Sequence, residues 1–446
     1  MWSHRLTGKR RLVGGRAEYD VCKEAKSTMN QIEGAFTIQQ DRLRRRIEEL
    51  AEIGKIGETG VCRLALSAED RAGVELVRGW MEEAGLQTRI DHFGNLIGRL
   101  DGRNPDAPIL MIGSHIDSQP YGGRFDGTIG VLGGLEVLQT MNERGIVPDQ
   151  PIEVVAFCDE EGCRFQKGLF GSRGILGKLE SDELERTDKN GITRKQALLD
   201  FGCDPDRFEE SIYAQGSIGA YLELHIEQGP ILDKDEEPVG IVSAISGPLW
   251  WTVEMTGFAG HAGSVPMPMR QDALLGAAKV IVVLNELAKL DPSAPTVGTV
   301  GHLQVFPDSR NIIPEKVRFT VDLRDIDLNR RDQREQELRQ EIEQIAMQHG
   351  LHYTITEDTN SEPRYCAPWI KDIIREESTK LDLHTPELMS GPFHDALALS
   401  YVCDYAMIFV RCRDGISHNP QEYASFEDIA CGTELLYKTV QRMCAT

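Results

Sequence analysis

The chain has 446 residues and carries 49 Lys or Arg residues against 71 Asp or Glu residues, which gives a formal net charge of −22. This length predicts two or three domains and a core large enough to need no disulfide bonds. The acidic excess argues against a protein that binds nucleic acid or an anionic membrane surface. No apolar run in the sequence is long enough to cross a bilayer, which argues against a membrane protein.

Ten cysteines are spread along the chain without a CxxC pair, at a density too low for a disulfide framework. This usage is typical of a reducing compartment, so we expect a cytoplasmic protein. The first residues are basic but are not followed by the apolar segment of a secretory signal. We therefore expect residues 1–30 to form a disordered extension.

Helix and strand patterns alternate in the first half of the chain. The predicted elements are, in order, helices at 43–53 and 67–85, strands at 87–91 and 108–113, a helix at 127–144, and strands at 151–158 and 221–226. Strands that alternate with helices in this way predict an α/β fold with a mostly parallel sheet.

The pattern changes after about residue 245. The predicted elements there are a strand at 249–256, a helix at 271–290, strands at 297–306 and 316–323, a helix at 329–350 and a strand at 352–357. This order is typical of a small α+β domain with the split βαβ arrangement. We predict an α/β domain over residues 31–245 and 360–446, interrupted by an inserted α+β domain over residues 246–359.

Potential metal ligands follow several predicted strands. His115 comes directly after a buried strand, and Asp126 follows a Gly-rich loop, although either could be an ordinary turn or helix-capping residue. Asp159, Glu160 and Glu161 follow another apolar strand. Adjacent carboxylates repel one another, and a divalent cation is a common means of neutralising them. A metal site is therefore favoured over a solvated acidic turn.

Two further histidines, His225 and His418, end strand-like segments, and each is followed by Gly or Pro. Sites in open α/β sheets form beyond the carboxyl ends of the strands, so we expect these side chains to converge. Together with His115, Asp126 and Glu161 they could hold two divalent ions that share one bridging carboxylate. Glu160 would then be free to act as a general base.

Five segments carry a resemblance to a known family. They read GSHIDSQPYGGRFDG (113–127), CDEEGCRF (158–165), ELHIEQGP (223–230), GFAGHAGSVPMPMRQDA (257–273) and GISHNP (415–420). With these motifs the chain resembles the dinuclear metal amidohydrolases that include N-carbamoyl-L-amino acid hydrolases and allantoate amidohydrolases, within the aminoacylase-type metallopeptidase superfamily. The resemblance extends over roughly residues 35–440. It implies a homodimer in which the inserted domain serves as a dimerisation and lid domain.

The resemblance also implies roles for the residues of the metal site. His115 and His225 would hold one ion, Glu161 and His418 would hold the other, and Asp126 would bridge the two. The ions would be Zn, Mn, Co or Ni, all of which suit mixed nitrogen and oxygen ligands.

The resemblance assigns further residues to catalysis and to substrate binding. Glu160 would be the general base, and Asp117 would orient His115. His261 would reach into the partner subunit's site and stabilise the oxyanion. The residues that would bind a small carboxylate-bearing ureido substrate are Gln228, Asn311, Arg324 and Gly391, with Arg324 paired to the carboxylate.

The expected reaction is hydrolysis of the carbamoyl C–N bond of an N-carbamoyl-L-amino acid, which yields the amino acid, ammonia and carbon dioxide. Hydrolysis of allantoate and an aminoacylase or dipeptidase activity are the alternatives, and a non-catalytic binding protein is disfavoured because every ligand and Glu160 are present. The loop after Gly391 departs from the Ala-Gly common among relatives, because it has Pro392 and Phe393. This departure leaves the specificity open.

Overall fold

The structure is a computed structural model that describes residues 36–444. The extension expected over residues 1–30 lies outside these described residues. Two hydrophobic cores form, one around a nine-stranded sheet and one around a five-stranded sheet. None of the helices within residues 36–444 combines the length and the apolar character needed to cross a bilayer.

The strands that the structure describes are, in chain order, β1 (Lys55–Ile56), β2 (Gly60–Val61), β3 (Gln87–Ile90), β4 (Leu96–Leu100), β5 (Ile109–His115), β6 (Ile152–Phe157), β7 (Ile218–Ile226), β8 (Val239–Ile245), β9 (Gly247–Thr256), β10 (Gly260–His261), β11 (Val297–Thr299), β12 (Leu303–Phe306), β13 (Ile312–Ile313), β14 (Lys316–Asp325), β15 (His352–Asn360), β16 (Arg364–Tyr365), β17 (Glu387–Ser390) and β18 (Asp404–Val410).

The described α-helices are α1 (Gln40–Ala51), α2 (Ala68–Glu83), α3 (Thr128–Glu143), α4 (Phe170–Gly174), α5 (Arg194–Asp200), α6 (Ile231–Lys234), α7 (Ala273–Ala288), α8 (Leu328–His349), α9 (Pro368–Lys380), α10 (Asp395–Leu399) and α11 (Phe426–Met443). Short 3₁₀ turns cover Pro205–Ser211, Met267–Met269 and Arg413–Gly415.

The larger sheet is parallel in its centre. Its order is β16-β8-β18-β7-β5-β6-β4-β3, with β17 beside β8. Strands β18, β7, β5 and β6 run parallel to one another, and β17 runs parallel to β8. The remaining pairs are antiparallel. The predicted α/β class is confirmed. The parallel pairs lie mainly in the centre of the sheet, in the strands at whose ends the candidate metal ligands are found.

Local sequence signals explain where the helices begin. Ser67 caps α2, because its side chain accepts a hydrogen bond from the Asp70 backbone N–H at 3.1 Å. The Asp70 carboxylate accepts a hydrogen bond from the Leu66 backbone N–H in return. These two hydrogen bonds satisfy backbone donors in the first turn of the helix and just before it. Helix α3 is buried on nearly every side, since it packs on β5 and β7 and is covered by α1 and α11.

The smaller sheet has the order β11-β14-β9-β15, and β12 also pairs with β14. Helices α7 and α8 pack on it and close the second core. The single strand expected over residues 297–306 is instead interrupted between β11 and β12. Thr299 pairs with Asp322 and Leu303 pairs with Phe319, so this edge contains one residue more than β14 does. The extra residue breaks the ladder, as a bulge does.

The chain passes from one sheet to the other at two places, within a few residues each time. Strand β8 of the larger sheet ends at Ile245 and β9 of the smaller sheet begins at Gly247, while β15 ends at Asn360 and β16 begins at Arg364. The polypeptide therefore leaves the larger sheet once and returns to it once. The domain boundaries given above remain predictions.

Glycines let α3 lie close to the strands that carry the site. A Cβ atom on Gly130 would lie 2.5 Å from the Leu224 carbonyl oxygen, whereas a Cβ atom on Gly79 in α2 would meet nothing within 4 Å. We therefore expect Gly130→Ala to lower the free energy of unfolding by about 1–3 kcal/mol through overpacking. Gly79→Ala, the matched control, should raise it by up to about 1 kcal/mol because alanine favours helix. Urea denaturation measures both, and equal effects would contradict this reading of the packing.

Candidate metal centre

The first group of potential metal ligands consists of His115, Asp126 and His225, all of which are buried. His115 ends β5, His225 lies on the parallel neighbour β7, and Asp126 precedes α3. Asp126 Oδ1 is 3.5 Å from His115 Nε2 and 3.1 Å from His225 Nε2. The Nδ1 atoms of the two rings lie 3.0 Å and 2.9 Å from the backbone carbonyl oxygens of Asp117 and Ile226. These contacts leave both Nε2 atoms facing the carboxylate.

The second group consists of Asp126, Glu161 and His418. His418 Nε2 lies 3.5 Å from Asp126 Oδ2 and 3.6 Å from Glu161 Oε2. The His418 side chain is 46% exposed, so this group lies nearer to solvent than the first one. The two oxygens of the Asp126 carboxylate therefore face different ligand groups. This geometry is the one that a carboxylate bridging two ions requires.

The chemistry of these donors fits divalent metal ions. In each group the ligand atoms lie within 4.8 Å of one another, and they combine imidazole nitrogen with carboxylate oxygen. Glu223, His225 and His394 form a further cluster of this kind. Glu223 already accepts hydrogen bonds from the Ser114 hydroxyl and the Ala396 backbone N–H, so its carboxylate is engaged within the protein.

Asp126 is fixed by several neighbours. Gln228 Nε2 and the Ser417 hydroxyl each donate a hydrogen bond of 2.7 Å to Asp126 Oδ2. Glu422 is buried and accepts hydrogen bonds from the backbone N–H groups of Phe125 and Asp126. Burial alone would raise the pKa of Asp126, but the charge of His225 and hydrogen bonds from the site histidines hold that pKa well below its usual range. Sequence reasoning missed Ser417 and Glu422, although Ser417 directly precedes His418.

The negative charge of the acidic turn after β6 is offset partly by an arginine of the protein itself. Arg194 is fully buried, and its Nη2 donates a hydrogen bond of 2.8 Å to Asp159 Oδ2. It also pairs with Glu183, and its guanidinium lies against the Phe165 and Phe170 rings at 5.0 and 4.4 Å. The expected metal ion is therefore not alone in offsetting the repulsion among the three carboxylates, because Arg194 offsets the charge of the first. No sequence signal linked Arg194 to this turn.

Glu160 belongs to neither ligand group but lies beside the first. Its Oε2 is 3.6 Å from His115 Nε2. The carboxylate of Asp117 accepts hydrogen bonds of 3.3 Å from the backbone N–H groups of both Glu160 and Glu161, which holds the turn in place. Burial raises the pKa of Glu160 well above its usual range, although His115 acts in the opposite direction. A buried carboxylate with a raised pKa is suited to accepting a proton.

Asp117 contacts His115 through its backbone rather than its side chain. His115 Nδ1 lies 3.0 Å from the Asp117 carbonyl oxygen and 3.7 Å from the nearer carboxylate oxygen. Only the first distance is that of a hydrogen bond. The expected role of Asp117 in orienting His115 therefore stays a prediction, and the carbonyl group is the one in place for it.

The expected substrate residues lie at different parts of the fold. Gln228 contacts Asp126 at the ligand groups. Arg324 Nη1 donates a hydrogen bond of 2.7 Å to the Gly391 carbonyl oxygen. His261 is exposed on β10, and the Asn311 carbonyl accepts a hydrogen bond from Ala262 beside it. Between residues 36 and 444, no hydrogen bond or ion pair joins His261 or Asn311 to the metal ligands.

Comparison with known proteins relates this site to a family. The family model described as peptidase family M20/M25/M40 matches residues 111–442. The chain belongs to peptidase family M20/M25/M40. This membership confirms the α/β fold and the metallopeptidase superfamily predicted from the motifs. The M20 family and the ligand groups together support metal binding by this chain.

Individual M20 relatives cover nearly the whole chain. An N-carbamoyl-L-amino-acid amidohydrolase from Pseudomonas sp. (strain NS671) is 49% identical over 406 residues, which is 91% of this chain and 98% of that protein. Allantoate deiminase 1 from Glycine max is 36% identical over 416 residues, 86% of each chain. A crystal structure of an amidase of the hydantoinase/carbamoylase family from Burkholderia multivorans is 38% identical, has a TM-score of 0.85, and is matched over 92% of this chain and 98% of that one. The predicted resemblance to N-carbamoyl-L-amino acid hydrolases and allantoate amidohydrolases is confirmed.

The pKa of His418 makes metal binding depend on pH. Hydrogen bonding to Asp126 raises this pKa to about 9, against the lowering effect of partial burial, and nearby Glu161 adds to the rise. A histidine binds a metal ion only as neutral imidazole, so an ion must displace a proton below that pH. We expect ion binding to the metal-stripped protein to release protons and to strengthen between about pH 6 and 9, up to about tenfold per pH unit for each proton displaced.

Calorimetry in buffers of different ionisation enthalpy measures the protons released on binding. His418→Asn should release fewer protons than the unaltered protein. Affinity that does not change over this pH range would contradict the prediction.

Proposed function

We propose that the protein hydrolyses the carbamoyl C–N bond of N-carbamoyl-L-amino acids with two divalent ions, Zn, Mn, Co or Ni, held by the ligand groups described above. The observation that carries this proposal is the Asp126 carboxylate, which faces one ligand group with each oxygen while Glu160 remains free beside them. The Pseudomonas relative supports the substrate class, because it is more similar to this chain than the allantoate deiminase is.

The protein's own groups would move the protons in this reaction. Bound ions would polarise the substrate carbonyl and lower the pKa of the attacking water. Glu160 takes the proton of that water and delivers it to the leaving nitrogen, so cleavage releases the amino acid and carbamic acid. Carbamic acid then decomposes to ammonia and carbon dioxide. Asp117 accepts a hydrogen bond from the backbone N–H of Glu160, whose carboxylate lies beside His115.

Gln228 and Arg324 would bind opposite ends of a ureido acid. Gln228 Oε1 is buried and has no hydrogen-bond partner among the described residues, so it can accept a hydrogen bond from the carbamoyl NH₂ group. Arg324 would pair with the substrate carboxylate. Its guanidinium lies 5.7 Å from the Trp250 ring and 5.5 Å from the Phe393 ring, which restricts its motion. Asn311 and Gly391 would complete the binding site.

Hydrolysis of allantoate is the second candidate, and the similarity to the Glycine max deiminase supports it. An aminoacylase or dipeptidase activity would use the same residues on a different acyl group. Phe393 lies against Arg324 and also 6.2 Å from the Trp250 ring centroid, so its ring occupies space near the proposed carboxylate site. This crowding favours a compact ureido acid over a longer one.

A homodimer is part of the proposal, with residues 246–359 as the dimerisation and lid domain. Strands β11 and β12 form one edge of the smaller sheet and pair with β14 on one side only, within the described chain. Val297 and Phe306 expose apolar side chains there, and Val282 is exposed on α7, which packs against β11. An exposed apolar sheet edge favours association with another chain. The exposed His261 would then act in the partner subunit's site.

A cytoplasmic location also belongs to this proposal. All nine cysteines that the structure describes are free thiols, which fits a reducing compartment.

The substrate test compares ammonia release from N-carbamoyl-L-amino acids, allantoate and N-acetyl-L-amino acids, the last followed as acetate. Protein stripped of metal and reloaded with Mn or Zn should turn over the carbamoyl amino acids fastest. Glu160→Gln should retain both ions and lose about 10²–10⁴-fold in kcat, the range for a lost general base. Turnover of allantoate alone would favour the second candidate. A kcat of Glu160→Gln equal to that of the unaltered protein would show that Glu160 is not the general base.

The dimer test mixes two inactive variants, His261→Ala and Glu160→Gln, after reversible dissociation. If His261 serves the partner's site, a mixed dimer regains one complete site, and a statistical mixture regains about a quarter of the wild-type activity. Each variant mixed with itself is the control. A protein that is monomeric by light scattering, or a mixture without regained activity, would contradict action across the dimer.

A further inference from the structure

Glu161 is contacted by a side-chain amide that the reaction scheme does not use. Gln119 Nε2 donates a hydrogen bond of 2.5 Å to Glu161 Oε2, the oxygen that faces His418. The Cys163 thiol donates in turn to Gln119 Oε1 at 2.8 Å. The side chains of all three residues in this chain of hydrogen bonds are at least partly shielded from solvent.

The thiol determines which end of the amide faces the ligand. An amide group has an oxygen that only accepts and a nitrogen that only donates, and its two orientations are similar in shape. A protonated thiol beside the oxygen favours the orientation in which Nε2 points to Glu161. The opposite orientation would place two acceptors, Oε1 and the carboxylate, against each other.

The two ligand groups differ in how they are held. His115 and His225 are buried, and backbone carbonyls lie within hydrogen-bond distance of their Nδ1 atoms. The second group has the half-exposed His418, and Glu161 depends on a side-chain donor for its orientation. Ligands held by backbone and burial lose less freedom on binding an ion than ligands held by mobile side chains.

We propose that Gln119, oriented by Cys163, is a positioning residue for Glu161 and sets the affinity of the more weakly held of two ions, the one bound by Asp126, Glu161 and His418. This inference rests on the metal centre of the proposed function. The ion of the second group is the one that exchanges, and the ion of the first group stays bound. Replacing the partner that orients a ligand typically weakens metal binding by about 10–100-fold.

The experiment titrates metal-stripped protein with Co²⁺ and follows visible absorption and heat, so it does not depend on turnover. Gln119→Met, which keeps the length of the side chain but neither hydrogen bond, should weaken one of the two binding steps by about 10–100-fold and leave the other unchanged. Cys163→Ala should weaken the same step by less. Cys163→Ser should restore it, because serine also donates a hydrogen bond.

Matched controls use the same substitutions away from the site. Gln87 donates a similar hydrogen bond to Asp101 at the surface, and Cys62 is another half-buried free thiol. Gln87→Met and Cys62→Ala should bind both ions as the unaltered protein does. Glu161→Gln alters a proposed ligand of the second group, so it is the reference for loss of the weaker of the two metal-binding steps.

Separate outcomes test the inference and the metal centre. Two unchanged binding steps in Gln119→Met, or equal weakening of both steps, would overturn the positioning role while leaving the proposed function intact. A Glu161→Gln protein that still binds two ions with full affinity would overturn the metal centre, and the inference with it.

Discussion

The fold brings carboxylates together in a place where they cannot remain charged without cations. Strands β5, β6 and β7 are parallel neighbours, so His115, the acidic turn after Phe157, and His225 reach the same edge of the sheet. Asp126 is placed among them by the loop that precedes α3. Buried like charges raise one another's pKa values, as burial and neighbouring carboxylates do for Glu160. The histidines, Arg194 and divalent ions are three ways of relieving that repulsion.

These three ways of relief have different consequences for function. Arg194 offsets the charge of Asp159 from within the protein, because its buried guanidinium pairs with that carboxylate and lies against two aromatic rings. A histidine relieves the charge only while it is protonated, and in that state it cannot bind a metal. Ion and proton therefore compete at the ligand groups, whereas they do not compete at Asp159. One carboxylate of the acidic turn is thus paired with an arginine, and the other two are the ones to which the proposed function gives chemical roles.

The sequence predicted that the proposed metal ligands come together, because each one lies at the end of a strand or in a loop that follows one, and strand direction determines where such residues meet. Arg194 escaped prediction because α5 lies 35 residues beyond Asp159 and only the tertiary fold unites them. Gln119 escaped prediction because glutamine is not diagnostic of a metal site, and Cys163 escaped because its thiol contacts the Gln119 amide rather than acting as a ligand. The interrupted edge strand at β11 and β12 depends on register with β14, which the apolar pattern does not specify.

The loop with the unusual Pro392 and Phe393 connects the two cores. At one end the Gly391 carbonyl accepts a hydrogen bond from Arg324 of the smaller sheet, and at the other end the His394 ring lies 4.4 Å from the ring of His225. Ser390 stiffens the loop by hydrogen bonding to His394. A substrate bound between the ligand groups and Arg324, as proposed, would lie near this loop, because the loop contacts both. Substitutions here would therefore change both the space for the proposed substrate and the position of Arg324, so we expect this loop to influence specificity.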